Sequence, residues 1–241
     1  ALLHYLRYEK EHGRKHPGLE RKITAVLNTF LQLQAADGSF PRKFRDDRTT
    51  VDASGGSTPS ATLPLVMAYH YFGDKRYLAA AEKTARYLES EIIGKADYFS
   101  STLDANCEDK EASLYASTAM YYLTFVSEGA ERQRYIALCR EAPYFALSWY
   151  YLWDVPFAQG PMLGDVGLKT RGWGNVSVEN NHIYVFVFEF CSVLVWLGRE
   201  YGEKRFTDFA KVIGNSMRQL LPLEERLCGV AKPGYYPEVG Q

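Results

Sequence analysis

Acidic side chains on the long connections of the chain are the residues best placed to do chemistry. The three long connections run over roughly 37–57, 95–108 and 151–181. Asp52 lies in the first of them, and Glu108 and Asp109 lie at the end of the second. Two carboxyl groups can share acid and base work, because one can hold a proton while the other is ionised. Glu108 and Asp109 are so close in sequence that their repulsion could keep one of them protonated, which suits a general acid. We predict that these three residues are catalytic.

Each of these acids also has a structural interpretation. An acidic residue just before a helix usually caps the helix or interacts with its dipole. Asp109, Glu111 and Glu179 stand at positions where that role would be sufficient. The sequence leaves both interpretations open.

The third long connection carries side chains suited to ligand binding. It places an arginine, a tryptophan and asparagines among several glycines, so that the backbone can approach a ligand closely. A ring can stack on a ligand, and a guanidinium group can bind a carboxylate through paired hydrogen bonds. Trp173 could instead cover the core, Arg171 could pair with a loop acid, and His182 could be a core or capping residue. The residues predicted to bind substrate are Asp104, Arg171, Trp173, Asn175, Asn181, His182 and Tyr236.

The elements that must position these side chains are helical hairpins. Four turns share a glycine at the end of an apolar segment, beside charged residues, at Gly13, Gly73, Gly129 and Gly202. Their separation of roughly 60 residues fits one helical hairpin plus a connection. Hydrophobic periodicity and end signals predict the helices. They are expected over 17–36, 58–72, 74–94, 109–126, 130–150, 182–198 and 204–221, with one more before Gly13.

The two helices of a hairpin differ in hydrophobic pattern. The first helices are apolar nearly all round, as in 182–198, whereas the second helices are amphipathic. This difference predicts inner helices ringed by outer ones, with eight helices in all and almost no strand. The long connections would then emerge on one face, at the amino ends of the inner helices. Connections of this length are usually functional.

Two further segments resemble a known family group. They are Phe30-Leu-Gln-Leu-Gln-Ala-Ala-Asp-Gly-Ser-Phe-Pro41 and Ser57-Thr-Pro-Ser-Ala-Thr62, which opens an inner helix. With the repeated hairpins, they are similar to six-hairpin (α/α)6 toroid carbohydrate-active enzymes, including glucuronyl hydrolases and toroid polysaccharide lyases. The resemblance implies a single toroid catalytic domain over 1–241, or part of one. Four hairpins fill this chain where the family ring has six. The remaining helices would then come from a continuation or from another chain, which is the favoured interpretation, or the four hairpins would curl into a smaller bundle.

The resemblance also implies a function. A glycoside hydrolase needs one carboxyl group to protonate the leaving oxygen and a second to activate water or attack. The expected substrate is an oligosaccharide, with uronic acid as one candidate component. A polysaccharide lyase is the alternative, with Asn180, Asn181, His182 and Tyr184 as its candidate residues. A non-catalytic hairpin scaffold that binds a glycan or a protein is a third interpretation.

Composition narrows the choice of partners. The chain has 241 residues and a net charge of -1, which gives no support for nucleic acid binding. The longest apolar run, 183–197, is too short for a membrane span. The four cysteines, Cys107, Cys139, Cys191 and Cys228, show no metal-ligand spacing and are interpreted as reduced thiols. We therefore expect no cofactor, metal, nucleic acid or membrane partner. The compartment stays open, with a periplasmic or secreted location slightly favoured.

Overall fold

The fold is given by a computed structural model that describes residues 1–99, 107–160, 162–175, 183–184, 189–225, 232–233 and 239–240. Of these residues, 61% are helical and 6% are in strand, which confirms the predicted all-α class. The α-helices are α1 (Leu2–Glu11), α2 (Pro17–Leu33), α3 (Thr58–Phe72), α4 (Lys75–Tyr87), α5 (Lys110–Leu123), α6 (Gly129–Ser148), α7 (Met162–Asp165), α8 (Phe190–Glu200) and α9 (Lys204–Met217). The strands are β1 (Lys43–Phe44), β2 (Thr50–Asp52), β3 (Ile183–Tyr184) and β4 (Val239–Gly240).

The glycine turns predicted from the sequence are present in the structure. Gly73 ends α3 with a φ of 73°, and its N–H donates to the carbonyl of Tyr69 at 2.8 Å. This left-handed backbone is the ordinary end of a helix and suits glycine, which has no Cβ. Asp74 then caps α4, because its carboxylate accepts the N–H of Arg76 at 2.9 Å. The glycines of the other three turns also have positive φ.

Contacts within the chain divide it into two compact units. The first consists of Ala1–Glu108 and Tyr115–Ala142, and the second of Asp109–Leu114 and Pro143–Gln241. In the first unit, α3 packs against α1, α2 and α4. Eight residues of α3 are buried, while α4 buries a stripe that contains Tyr77, Ala81 and Ala85. This contrast matches the predicted difference between the two helices of a hairpin.

In the second unit, α8 packs along α9, and a hydrophobic cluster forms beside them. The helix α9 is amphipathic, and its buried residues, Phe206, Ala210 and Ile213, recur at helical spacing. The adjoining cluster contains Leu163, Leu168, Trp173, Ile183 and Leu220. The cluster holds α7 and the segment after it against the turn that follows α9.

Some predicted helix bounds are wrong. The helix predicted over 182–198 begins only at Phe190, because Ile183–Tyr184 forms a strand that pairs antiparallel with Val239–Gly240. The helix predicted over 17–36 ends at Leu33, where the chain turns. There Gln34 donates to the carbonyl of Ala80 at 2.9 Å, and Asp37 accepts the N–H of Ser39 at 2.9 Å. The prediction for 74–94 holds to within a residue, since a π-helical segment, Leu88–Ile93, continues α4.

Candidate functional site

Glu108 is a half-buried carboxyl group just before α5. Its backbone forms an isolated antiparallel bridge with Phe99, and its side chain accepts the backbone N–H of Tyr98. Burial raises the pKa of Glu108, and the nearby charge of Asp97 raises it further. The side-chain atom Oε2 is buried with no hydrogen-bond partner among the described residues. The surroundings of Glu108 thus favour its protonated form.

Asp52 is a carboxyl group whose surroundings favour the ionised form. It ends β2, which pairs with β1, and its Oδ1 accepts the N–H of Ser54 at 2.9 Å. Its Oδ2 accepts a hydrogen bond from Nη1 of Arg42 at 3.2 Å, and the arginine side chain is only 6% exposed. These donors lower the pKa of Asp52, the hydrogen bonds from Ser54 most of all. Asp52 is therefore a stable anion near the amino end of α3.

Asp109 takes the capping role that was one of its two predicted interpretations. It is fully buried, and its Oδ1 accepts the N–H of Glu111 at 2.7 Å at the start of α5. An aspartate that bonds to the second helical N–H in this way stabilises a helix end. Whether Asp109 also takes part in catalysis stays a prediction.

Lys110 is a buried cation that the sequence analysis missed. Its side chain is fully buried, and its Nζ lies 4.9 Å from the ring centroid of Tyr150. Burial lowers the pKa of Lys110 to about 7, while the charges of Glu111 and Asp109 oppose that change. Gly174 leaves room for the amine, since a Cβ built there would be 3.0 Å from Nζ. The available signal was a lysine between two acids at the start of an otherwise apolar helix.

The predicted binding residues of the third connection lie partly in the core and partly at the surface. Trp173 is 1% exposed and lies in the hydrophobic cluster, which fits the alternative that it covers the core. Asn175 accepts a hydrogen bond from the Tyr151 hydroxyl at 3.3 Å. Arg171 is exposed and lines a cavity of about 270 Å³, and its backbone N–H donates to Asp154 at 3.1 Å. Of these three, Arg171 is the one placed to meet a ligand from solvent.

Four other predicted residues lie outside the described part of the chain. They are Asp104, Asn181, His182 and Tyr236, and the lyase candidate Asn180 falls there as well. The remaining lyase candidate, Tyr184, belongs to β3. The structure therefore places Asp52 and Glu108 in the first unit, and Asp109, Arg171, Trp173 and Asn175 in the second.

The described ranges show neither a metal-binding cluster nor a membrane-spanning helix. Those ranges contain no group of three or more His, Cys, Asp or Glu side chains that could hold a metal ion. Cys107, Cys139 and Cys191 are free thiols, and Cys228 lies outside the described ranges. Within the same ranges, every helix falls short of the length and apolarity that crossing a bilayer requires.

Comparison of the chain with protein-family models, with curated proteins and with solved structures finds no match. The chemistry of the chain must therefore be argued from its own residues.

Proposed function

We propose that this chain is a glycoside hydrolase that acts on an oligosaccharide through Glu108 and Asp52. The observation that supports this proposal is that two carboxyl groups of the first unit have pKa values changed in opposite directions. The pKa of Glu108 is raised by burial, and the pKa of Asp52 is lowered by its hydrogen bonds to Ser54. Carboxyl groups that differ in this way divide into an acid and a base.

The proposed roles follow from the two environments. Glu108 carries the proton and delivers it to the glycosidic oxygen as the bond breaks. Asp52 is ionised and either activates a water molecule or attacks the sugar carbon, and the separation of the two carboxyl groups at the bound substrate decides which. Arg42 fixes the orientation of Asp52, and Asp109 caps α5 next to Glu108.

We also propose that the helical hairpins form part of an (α/α) toroid. The four turns with positive-φ glycines and the contrast between α3 and α4 support a repeated hairpin. In such a fold, the connections before α3 and α5, which carry Asp52 and Glu108, open on the substrate face. Polysaccharide lyases share this architecture, so the reaction must be established separately.

Single amide substitutions test the catalytic assignment. We expect Glu108→Gln and Asp52→Asn each to lower kcat by about a hundredfold or more, since each removes one half of the acid and base pair. Asp47→Asn is the matched control, because Asp47 makes the same local hydrogen bond, to the N–H of Thr49 at 2.9 Å. The substrates are a panel of oligosaccharides and the 4-nitrophenyl glycosides of neutral and acidic sugars.

Two further readouts separate catalysis from folding. Glu108→Gln should retain more activity on 4-nitrophenyl glycosides than on natural linkages, because nitrophenolate leaves without protonation. The wild-type rate should fall at alkaline pH as Glu108 loses its proton, and at acidic pH as Asp52 gains one. Full activity of Glu108→Gln and Asp52→Asn would overturn the assignment. A product with new ultraviolet absorbance would indicate a lyase instead.

A further inference from the structure

A tryptophan side chain is held in solvent on the connection after α6. Trp153 is 68% exposed, although the backbone around it is fixed. The hydroxyl of Thr170 donates to the carbonyl of Trp153 at 3.2 Å and accepts the N–H of Val155 at 2.6 Å. Because its neighbours are anchored, the exposure of this indole is a feature of the folded chain. Tryptophan is enriched at binding interfaces, because its indole combines a large apolar face with an N–H donor.

A cavity with several polar side chains is lined by Asp154, the residue that follows this tryptophan. It has a volume of about 270 Å³, which is large enough for one sugar ring. Its lining includes Asp154, which follows Trp153, together with Lys169, Arg171, Asn215, Ser216 and Gln219. These side chains offer donors and acceptors of the kind that hydroxyl groups require.

The segment that carries the two cations of the cavity is anchored through its backbone. Lys169 and Arg171 are exposed, whereas Thr170 between them is 1% exposed. Gln219 of the turn after α9 binds both backbone groups of Lys169 at 2.8 Å, and the Ser216 hydroxyl donates to the carbonyl of Arg171. These contacts hold the backbone of the segment against the end of α9, and both Lys169 and Arg171 line the cavity.

The charge of the cavity favours an anionic ligand. Two cations face one acid, Asp154, and that acid already accepts the backbone N–H of Arg171 at 3.1 Å. Neither Lys169 nor Arg171 forms an ion pair with any residue that the structure describes. A guanidinium group with an amine nearby binds carboxylate or sulfate oxygens well.

We propose that this cavity and Trp153 form a binding site for an acidic sugar residue of an oligosaccharide. One face of the sugar ring stacks on the indole, and its carboxylate or sulfate group binds Lys169 and Arg171. Asn215 and Asp154 bind the hydroxyl groups. The inference rests on the proposed glycan-directed function, but the binding itself needs no turnover.

Binding of defined oligosaccharides to the full chain tests the site. The protein carries Glu108→Gln throughout, so that no ligand is consumed, and titration calorimetry gives Kd. The ligands are a uronic acid oligosaccharide, its carboxyl-reduced neutral analogue, and a sulfated oligosaccharide of similar length. We expect the two acidic ligands to bind better than the neutral one, with a preference that weakens as salt increases.

Variants with matched controls identify the residues responsible. Trp153→Ala should weaken binding of all ligands by about tenfold or more, whereas Phe157→Ala, on the same exposed segment, should not. The double substitution Lys169→Gln, Arg171→Gln should abolish the preference for acidic ligands and leave neutral binding intact. Lys211→Gln removes an exposed cation of α9 as the charge control.

The possible outcomes separate this inference from the proposed function. Binding with the expected variant pattern, but no hydrolysis by the wild-type chain, supports the site and overturns the hydrolase assignment. Equal binding of acidic and neutral ligands, or equal effects of Trp153→Ala and Phe157→Ala, overturns the site even where hydrolysis is seen. Absence of glycan binding, with self-association that Trp153→Ala abolishes, would identify the tryptophan surface as a protein contact and also overturn it.

Discussion

Residues of the same type acquire different roles from their surroundings. Glu108 and Asp109 are neighbours in the chain, yet Glu108 is half-buried with its pKa raised, and Asp109 accepts the N–H of Glu111 as a helix cap. From their position before α5, the sequence predicted that both acids are catalytic or cap the helix. It could not show which of them has a raised pKa and which caps the helix. Burial and hydrogen-bond partners decide these roles, since Glu108 lies beside the segment 97–99 and Asp109 accepts the N–H of Glu111.

Lys110 provides a test of pH dependence at the residue scale. Its pKa is lowered to about 7 in the folded chain from an ordinary value of 10.5, because it is buried. Between these values the unfolded chain binds the proton and the folded chain does not, so this residue favours folding more as pH rises. We expect the free energy of unfolding of the wild type, minus that of Lys110→Met, to increase from pH 7 to pH 10. The slope should reach about 1 kcal/mol per pH unit.

Chemical denaturation at several pH values measures this difference. Methionine keeps the length and the apolar stem of lysine but does not titrate, so the subtraction removes the effects of other groups. Lys204→Met, at an exposed position of α9, is the control for replacing a lysine by methionine where the side chain is in solvent. The lowered pKa of Lys110 would be contradicted if the free energy of unfolding of the wild type, minus that of Lys110→Met, stayed constant or fell as pH rises.

At the scale of elements, local signals predicted most helices and failed where a strand has a distant partner. Glycine and proline mark the ends of α3 and α4, so their bounds could be predicted closely. The run 182–198 is rich in β-branched and aromatic residues, which are compatible with helix or strand. Its first residues pair with Val239–Gly240, more than fifty positions away. No local pattern contains that information.

Gly172 tests how the third connection is anchored. It has a φ of 88°, and a Cβ built there would lie 2.6 Å from Oγ of Ser216 and 2.8 Å from the carbonyl oxygen of Val212. Gly172→Ala must therefore push the segment away from α9, in addition to straining the backbone. We expect a loss of about 2–4 kcal/mol in the free energy of unfolding.

Gly167→Ala is the matched control for this change. Gly167 also has a positive φ, of 63°, but a Cβ built there meets nothing within 4 Å. Its substitution should cost only the backbone strain of about 1 kcal/mol. Urea denaturation of both variants measures the difference. Equal losses for the two variants would show that close contact with α9 is not what requires glycine at position 172.

At the scale of the whole molecule, the candidate sites depend to different extents on contacts between distant parts of the chain. Arg42 meets Asp52 across a short hairpin, which a sequence could suggest. Lys110, by contrast, lies near Tyr150 and Gly174, which are 40 or more positions away in the sequence. The cavity lined by Asp154 and Arg171 also includes residues at the end of α9. The sequence therefore predicted Arg171 as a substrate-binding residue, which stays a prediction, and could not predict Lys169 or Gln219 as its neighbours.

The pairing of Ile183–Tyr184 with Val239–Gly240 gives a last test of long-range organisation. Ile183 is 4% exposed and belongs to the cluster with Leu163, Trp173 and Leu220. Deletion of residues 239–241 removes the partner strand. Because adjacent pairs of an antiparallel ladder alternate in hydrogen bonding, we expect one of the amides of residues 183 and 184 to exchange with solvent about tenfold faster. The loss of one or two hydrogen bonds should lower the stability of the second unit by about 1–2 kcal/mol. Val239→Ala keeps the backbone pairing and should leave the exchange rates nearly unchanged. Unchanged exchange at both residues in the deleted chain would show that the cluster, and not the strand pair, holds this segment in place.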